Sequence, residues 1–307
     1  MKYIVTGGAG FIGSHLVETL SRKHEIVVID DLSTGREHNL AGFRDSIRFA
    51  RGNITSLALL KEICGGADGI FHEAAIASVP RSVENPLETN DVNITGTLNT
   101  LIAARECGVK KVVFASSAAV YGENPVLPKH EGMIPEVLSP YAVAKLTGEH
   151  YCSVFSQLYG VETVSLRYFN VFGPRQDPNS PYSGVISKFI TNILNKKRIV
   201  MYGDGKQTRD FVFVKDVVQA NTNAMGSNAR GVFNVACQKS INLLELAETI
   251  MEITGNSVPV TFEAPRAGDI RDSLADISRA KKDLGYAPQF SLREGIEETV
   301  EWFRAEG

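Results

Sequence analysis

Cysteine, tryptophan, long apolar runs and an excess of either charge are all scarce in this chain, and each scarcity narrows what it can be. Four cysteines in 307 residues (Cys64, Cys107, Cys152, Cys237) stand far apart, with no C-x-x-C pair and no metal-ligand spacing. That argues against a disulfide scaffold or a zinc module, and predicts buried, reduced thiols and no bound metal. A formal net charge of −3 leaves no basic field for nucleic acid or for an anionic membrane. The one compact basic run, Lys196-Lys197-Arg198, reads as the end of a helix. No apolar stretch is long enough to span a bilayer, and Met1-Lys2 runs straight into a strand pattern with no leader before it. A cytoplasmic chain fits these features. With 43% hydrophobic residues it can bury a large core, split into two domains.

What is present begins with glycine. Residues Thr6-Gly7-Gly8-Ala9-Gly10-Phe11-Ile12-Gly13 follow the apolar run Tyr3-Ile4-Val5 and open a segment with Ile12, Leu16, Val17 and Leu20 at helical spacing. Strand, glycine turn and helix form the context in which such a turn cradles a dinucleotide. Gly7 permits the tight turn, Gly10 lets the backbone approach a pyrophosphate, and Gly13 lets the helix close on the strand. The helix N-terminus then offers N–H groups and a positive dipole end to phosphate. A second apolar run, Glu25–Ile29, ends in Asp30-Asp31, about 20 residues beyond the turn, where an acid binds adenosine ribose hydroxyls. Together these predict a nucleotide cofactor.

Short apolar runs then alternate with helical patterns. Residues 47–50, 69–72, 111–115 and 163–167 read as strands, and 57–64, 94–107 and 141–159 as helices. This rhythm predicts an α/β fold with a doubly wound parallel sheet, catalytic groups gathering at the strands' C-terminal ends. After Gly173-Pro174-Arg175 it breaks. Residues 174–184 hold Pro174, Pro178, Pro181 and Gly184, a loop composition. Helices near 185–196, 216–226, 243–254 and 293–304 and a strand near 199–202 follow. Residues 1–173 therefore read as the nucleotide domain, with later segments returning to it, and 174–307 mainly as a smaller substrate domain.

In Ser139-Pro140-Tyr141-Ala142-Val143-Ala144-Lys145, Ser139 caps a helix with Pro140 at its first position, putting Tyr141 and Lys145 one turn apart on one face. A tyrosine titrates near 10, so acting as a base at neutral pH requires a fall of about 3 units, or about 4 kcal/mol. An adjacent ammonium and a cationic nicotinamide can supply that in a dry site. By itself the spacing equally fits a helix tyrosine beside a solvated lysine. Ser116-Ser117, after the 111–115 strand, either start a loop or place a hydroxyl beside that tyrosine to hold and relay a substrate proton.

With these three motifs the chain resembles the extended short-chain dehydrogenases/reductases, and within them the nucleotide-sugar 4-epimerases of the UDP-glucose or UDP-N-acetylglucosamine type, over nearly its whole length. The resemblance implies Ser117, Tyr141 and Lys145 as catalytic residues and NAD as cofactor. It makes Gly7, Gly10, Phe11, Ile12, Gly13, Asp30, Asp31, Asn53, Ile54, Ala74, Ala75, Asn93 and Phe169 the cofactor contacts. It starts the sugar site at Tyr168-Phe169-Asn170, places Tyr202 on uracil, and gives Arg209, Arg266 and Asp269 to the nucleotide diphosphate; solvated surface charge is the bland alternative for those three, less favoured because Arg suits phosphate. Asn53 stands where the family has Asp, and an amide still hydrogen-bonds adenine.

Related dehydratases resemble one another in placing Asp-Glu after the catalytic Ser/Thr, and decarboxylases a Glu. Here the positions are Ala118-Ala119, which transfer no proton, so epimerisation is favoured, in nucleotide-sugar and galactose metabolism. A non-catalytic NAD-sensing protein on this fold is the other reading, opposed by the intact triad. Ser273, a few residues after Arg266-Ala267-Gly268-Asp269, is small where the resembling enzymes restrict the sugar with tyrosine. The expected wall is open to an N-acetyl group. Family helices equivalent to 94–107 and 141–159 pair across a two-fold axis, and Leu98, Leu101, Ile102, Val154, Phe155 and Leu158 suit a homodimer or a monomer core alike.

Overall fold

The computed structural model describes residues 1–177, 184–264 and 271–306. In chain order its regular elements are β1 (Lys2–Thr6), α1 (Phe11–Ser21), β2 (Glu25–Asp30), β3 (Ile47–Arg51), α2 (Leu57–Cys64), β4 (Gly69–His72), α3 (Val79–Glu84), α4 (Pro86–Asn90), α5 (Gly96–Glu106), β5 (Lys111–Ser117), α6 (Pro140–Tyr159), β6 (Glu162–Tyr168) and β7 (Asn170–Phe172). There follow α7 (Val185–Leu194), β8 (Ile199–Tyr202), β9 (Thr208–Phe213), α8 (Val214–Gly226), β10 (Gly231–Val235), β11 (Ser240–Asn242), α9 (Leu243–Thr254), β12 (Val260–Glu263), α10 (Ser278–Leu284) and α11 (Leu292–Glu306). Among the described residues no helix is long and apolar enough to cross a membrane.

Seven strands form one sheet in the order β10-β6-β5-β4-β1-β2-β3. Every pair in it is parallel, the doubly wound arrangement expected. The order reverses between β1 and β4, where Thr6 lies opposite His72, and such a switch point opens a crevice at the strands' C-terminal ends. Val5, Val28, Val113 and Leu166 face one side of the sheet with Leu16 of α1 and Val217 of α8. Ile4, Val27, Ile70 and Val112 face the other, with Leu60, Leu101 and Phe155 of α2, α5 and α6. Apolar strands covered on both faces are what a parallel sheet requires.

A third apolar cluster joins α7, α9 and α11 to β8 and β9 through Ile190, Ile199, Phe213, Ile250 and Ile296. Two small sheets, β11-β9-β7 and β12-β8, carry the later strands. β10 instead returns to the large sheet, pairing Val235 with Tyr168.

A buried ion pair stiffens the crevice side of the large sheet. Arg167 of β6 donates to Glu149 of α6 through Nε at 2.9 Å and Nη2 at 2.7 Å, and Ser116 Oγ donates to the same carboxylate. Both charged side chains are 4% exposed. Such a pair contributes modestly while intact, but removing one member strands the other in a medium of low polarity. Arg167→Met should therefore lower stability by about 3–5 kcal/mol, read as the shift in urea unfolding, and an unmoved midpoint would show that Glu149 finds another partner.

Candidate active site

The glycine turn lies at the switch point, and its glycines are required by contact. A Cβ on Gly13 would stand 2.2 Å from the Gly7 carbonyl oxygen, and one on Gly7, whose φ is +69°, would stand 2.7 Å from Ala74 N beyond β4. Gly10 is less crowded, its nearest neighbour being 3.1 Å from a Cβ, and it opens toward the crevice. No side chain caps α1, and no acid lies in its first turn, so its N-terminus suits an anion. This cradle fits a dinucleotide pyrophosphate. Phe11 and Ile12 form the first turn of α1, both half-buried.

Asp30 ends β2 beneath the turn. Its carboxylate accepts hydrogen bonds from Ala9 N at 2.9 Å and Leu32 N at 2.8 Å. Burial pushes it above its ordinary value. Gly35 packs against it so closely that a Cβ would meet Oδ1 at 2.8 Å. Asn53 Nδ2 donates to Asp31 Oδ2 at 2.6 Å, and Asn53 Oδ1 accepts from Thr55 N, so these two residues of neighbouring strand ends hold each other. Ile54 is buried against Gly96, which leaves only its backbone for the crevice. Ala74 N donates to Thr6 Oγ1 at 3.2 Å, and Ala75 follows it in the loop after β4. Both ends of the Asn93 amide are engaged by the backbone of Ile76, so what it fixes directly is that loop.

The catalytic candidates come together above β5. Ser139 Oγ caps α6 by accepting from Ala142 N at 3.2 Å, Pro140 sits in the first turn, and Tyr141 N donates to Ser82 Oγ. Tyr141 and Ser117 line one cavity; burial, foremost, raises the phenol above its ordinary value, as does the nearby Glu73, while the Ser117 hydroxyl opposes them. Ser117 Oγ also accepts from Ala119 N at 3.1 Å, which fixes its rotamer. Lys145 is buried, donates to Ala115 O at 2.7 Å, and sets its Nζ 5.7 Å from the Tyr141 ring centroid. Burial pushes it down to about 8, with Glu73 and Glu149 opposing. The three groups can hold and exchange a proton with a hydroxyl.

A cavity of about 220 Å³ opens over them, lined among others by Ser117, Ala118, Ala119, Tyr141, Tyr168, Phe169, Asn170, Arg209, Asp272 and Ser273. Asn170 Nδ2 donates to Asp210 O, and Arg209 Nη1 to the carbonyls of Thr208 and Arg271. Ser273 N is held by Thr208 O at 3.1 Å. Asp210 itself is fully buried and accepts from the backbone N–H groups of Ala275 and Cys237, so it ties the cavity wall together. Tyr202 closes β8 opposite Glu263 and is not among the lining residues. Arg266 and Asp269 lie outside the described residues.

Sequence reasoning missed Glu73, Asp272 and Val79, of which the last two line the cavity. Only Glu73 carried a signal, as an acid directly after a buried strand. Of the apolar residues weighed for a dimer, Leu101 and Phe155 belong to the monomer core, whereas Val154 and Leu158 are 42% and 71% exposed on α6.

Known proteins match this architecture end to end. Over residues 3–236 the chain matches the NAD dependent epimerase/dehydratase family. A UDP-glucose 4-epimerase of Mycolicibacterium smegmatis is 42% identical over 312 residues, covering 99% of each chain. A solved UDP-N-acetylglucosamine 4-epimerase from Methanobrevibacter ruminantium, in complex with UDP-N-acetylmuramic acid, has a TM-score of 0.97 at 43% identity, covering 100% of this chain and 99% of that one. A UDP-glucose 4-epimerase of Thermus thermophilus, in complex with NAD, has a TM-score of 0.91 at 38% identity over 99% of each. With a glycine cradle, a Ser–Tyr–Lys cluster and matches of this extent, the chain belongs to the NAD dependent epimerase/dehydratase family.

Proposed function

We propose that this protein is an isomerase that inverts C4 of UDP-hexoses by an NAD-dependent route through a 4-keto sugar. The observation that carries the reading is Tyr141, lining the same cavity as Ser117 and one helical turn from the buried Lys145. The wall beside Ser117 is Ala118 and Ala119, neither of which can move the extra proton that dehydration requires. Relatives named for 4-epimerisation support the same assignment.

The Gly7–Gly13 turn and the α1 N-terminus would hold the NAD pyrophosphate, Asp30 the adenosine ribose, and Asn53, Ile54, Ala74, Ala75 and Phe169 the flanking surfaces. Residues 1–173 with β10 form this nucleotide half, and 174–307 mainly the substrate half. Asp30 disfavours the extra phosphate of NADP. Arg36, the nearby residue that could pair such a phosphate, is committed to Asp177 at 2.7 Å. NAD, when bound, supplies the redox partner for C4. Tyr141 takes the C4 hydroxyl proton and gives it back after the sugar has presented its other face. Ser117 steadies the oxygen and relays the proton, and the Lys145 ammonium stabilises the tyrosinate. Asn170, Arg209 and Ser273 would orient the sugar and diphosphate, with Arg266, Asp269 and Tyr202 from the neighbouring segments. The four cysteines are unpaired, which suits the reducing cytoplasm.

Three outcomes test this reading. Tyr141→Phe should retain NAD and lose about 10²–10⁴-fold in turnover of UDP-glucose, measured by a coupled assay; near-normal turnover would move the base elsewhere. The small Ser273 side chain leaves the wall open, so UDP-N-acetylglucosamine should be a substrate. Ser273→Tyr should abolish that activity and spare UDP-glucose, because added bulk rejects larger substrates more sharply than smaller ones. An unmodified protein confined to non-acetylated sugars would overturn the inference from Ser273. Finally, Val154, Leu158 and the 47% exposed Tyr159 give α6 an apolar outer face suited to a second copy. Light scattering should give a dimer mass at micromolar concentration and a monomer mass for Leu158→Glu, and a monomeric unmodified protein would exclude the pairing.

A further inference from the structure

Glu73 is the first residue after β4, at the edge where the sheet meets the crevice. Its Oε1 accepts a 2.8 Å hydrogen bond from Tyr168 Oη at the end of β6. Asn221 Nδ2 of α8 donates to that same hydroxyl at 2.7 Å, so the phenol is held from both sides. β5 lies between β4 and β6, and the Glu73 side chain therefore spans the end of the strand that carries Ser117. A carboxyl held at such a place is costly to charge, and burial pushes it up to about 7.

The ionisable groups around it are few. α6 presents Lys145, Tyr141 and Glu149; β6 presents Arg167 and Tyr168; β4 presents His72; α8 presents only the uncharged Asn221. His72 sits between the Thr6 and Thr97 hydroxyls, and burial pushes it down to about 3, so it is neutral. Glu149, bound at both oxygens by Arg167, also raises Lys145, but less than Glu73 does. No salt bridge among the described residues engages Glu73. His72 pairs with Phe114, so Glu73 leaves β4 level with Ala115, the residue whose carbonyl holds Lys145 Nζ, and its carboxylate raises Lys145.

We propose that Glu73 is a positioning residue of the reaction assigned above, the counter-charge that keeps the Lys145 ammonium beside Tyr141. Without such a charge, burial favours a neutral amine, and a neutral amine cannot stabilise a tyrosinate. Tyr168 and Asn221 hold the carboxylate in place from β6 and α8. The arrangement has a measurable sign. Removing the negative charge withdraws the effect that raises Lys145, so its midpoint falls, and the alkaline limb of the rate profile, where the ammonium is lost, falls with it. A fall of about one unit makes the variant about tenfold slower than the unmodified enzyme above that limb.

The proposal rests on the epimerase reading for its chemistry, so its test has an arm that needs no substrate. In protein labelled with ¹³C-lysine and carrying its NAD, the Lys145 Cε resonance, assigned by its absence from Lys145→Arg, is titrated with pH. Glu73→Gln, which keeps an oxygen for Tyr168, should lower that midpoint by about one unit, and Glu73→Asp should restore most of it. The kcat profile for UDP-glucose should shift in step. An unmoved midpoint overturns the proposal, as does a loss of rate that is uniform across pH, the mark of a merely structural role. If the midpoint falls but the unmodified protein turns over no UDP-hexose, the reaction assignment fails and the counter-charge stands.

Discussion

The structure depends most on a lack of space. β1, the start of α1 and the loop after β4 meet so closely at Gly7 and Gly13 that a single added carbon at either would overlap backbone. That contact brings the N-terminus of α1 to the point where strand order reverses. It also fixes the height at which Asp30, Ala74 and Glu73 leave their strands. Side chains elsewhere in the sheet can be exchanged for others of like volume at modest cost, whereas this junction admits none.

Charge is handled in two ways along the same edge. Glu149 is fully satisfied, with Arg167 at both oxygens and the Ser116 hydroxyl on one of them. Lys145 donates only to the neutral Ala115 carbonyl, and Glu73 accepts only from the neutral Tyr168 hydroxyl, among the described residues. The first arrangement suits rigidity, since the two-point fork of Arg167 on the carboxylate fixes both side chains. The second leaves two groups whose protonation responds to their surroundings, which is what proton exchange near neutrality needs.

The nucleotide half was the more legible in the sequence because its signals are local. β4 and α2 run over the residues the apolar periodicity marks, as do β8 and α9 later in the chain, and Ser139-Pro140 starts α6 where a cap and a first-turn proline should. α3 and α4 carried the same kind of signal, Ser78 and Asn85 each capping a turn with proline close behind, but both are too short to show a period. β10 was illegible for a different reason. Its Asn234 is a poor strand former in isolation, and it is accommodated here because Tyr121, Lys129 and Asp276, all distant in sequence, satisfy its amide. Asn93 and Asp210 are alike in this: their partners, backbone groups from other segments, are visible only in three dimensions. Glu73 was passed over because nothing in its neighbours along the chain names Tyr168 or Asn221.

The return of β10 to the large sheet bears on how the chain is made. β6 presents an unpaired edge until residues 231–235 arrive, some sixty residues after its own last residue. Throughout that interval a growing chain exposes a parallel, apolar strand edge of the kind that invites mispairing. A fragment ending near residue 173 would keep that edge permanently. The large sheet is therefore not complete at residue 173: its outer rim is supplied by chain that comes only after β7, α7, β8, β9 and α8.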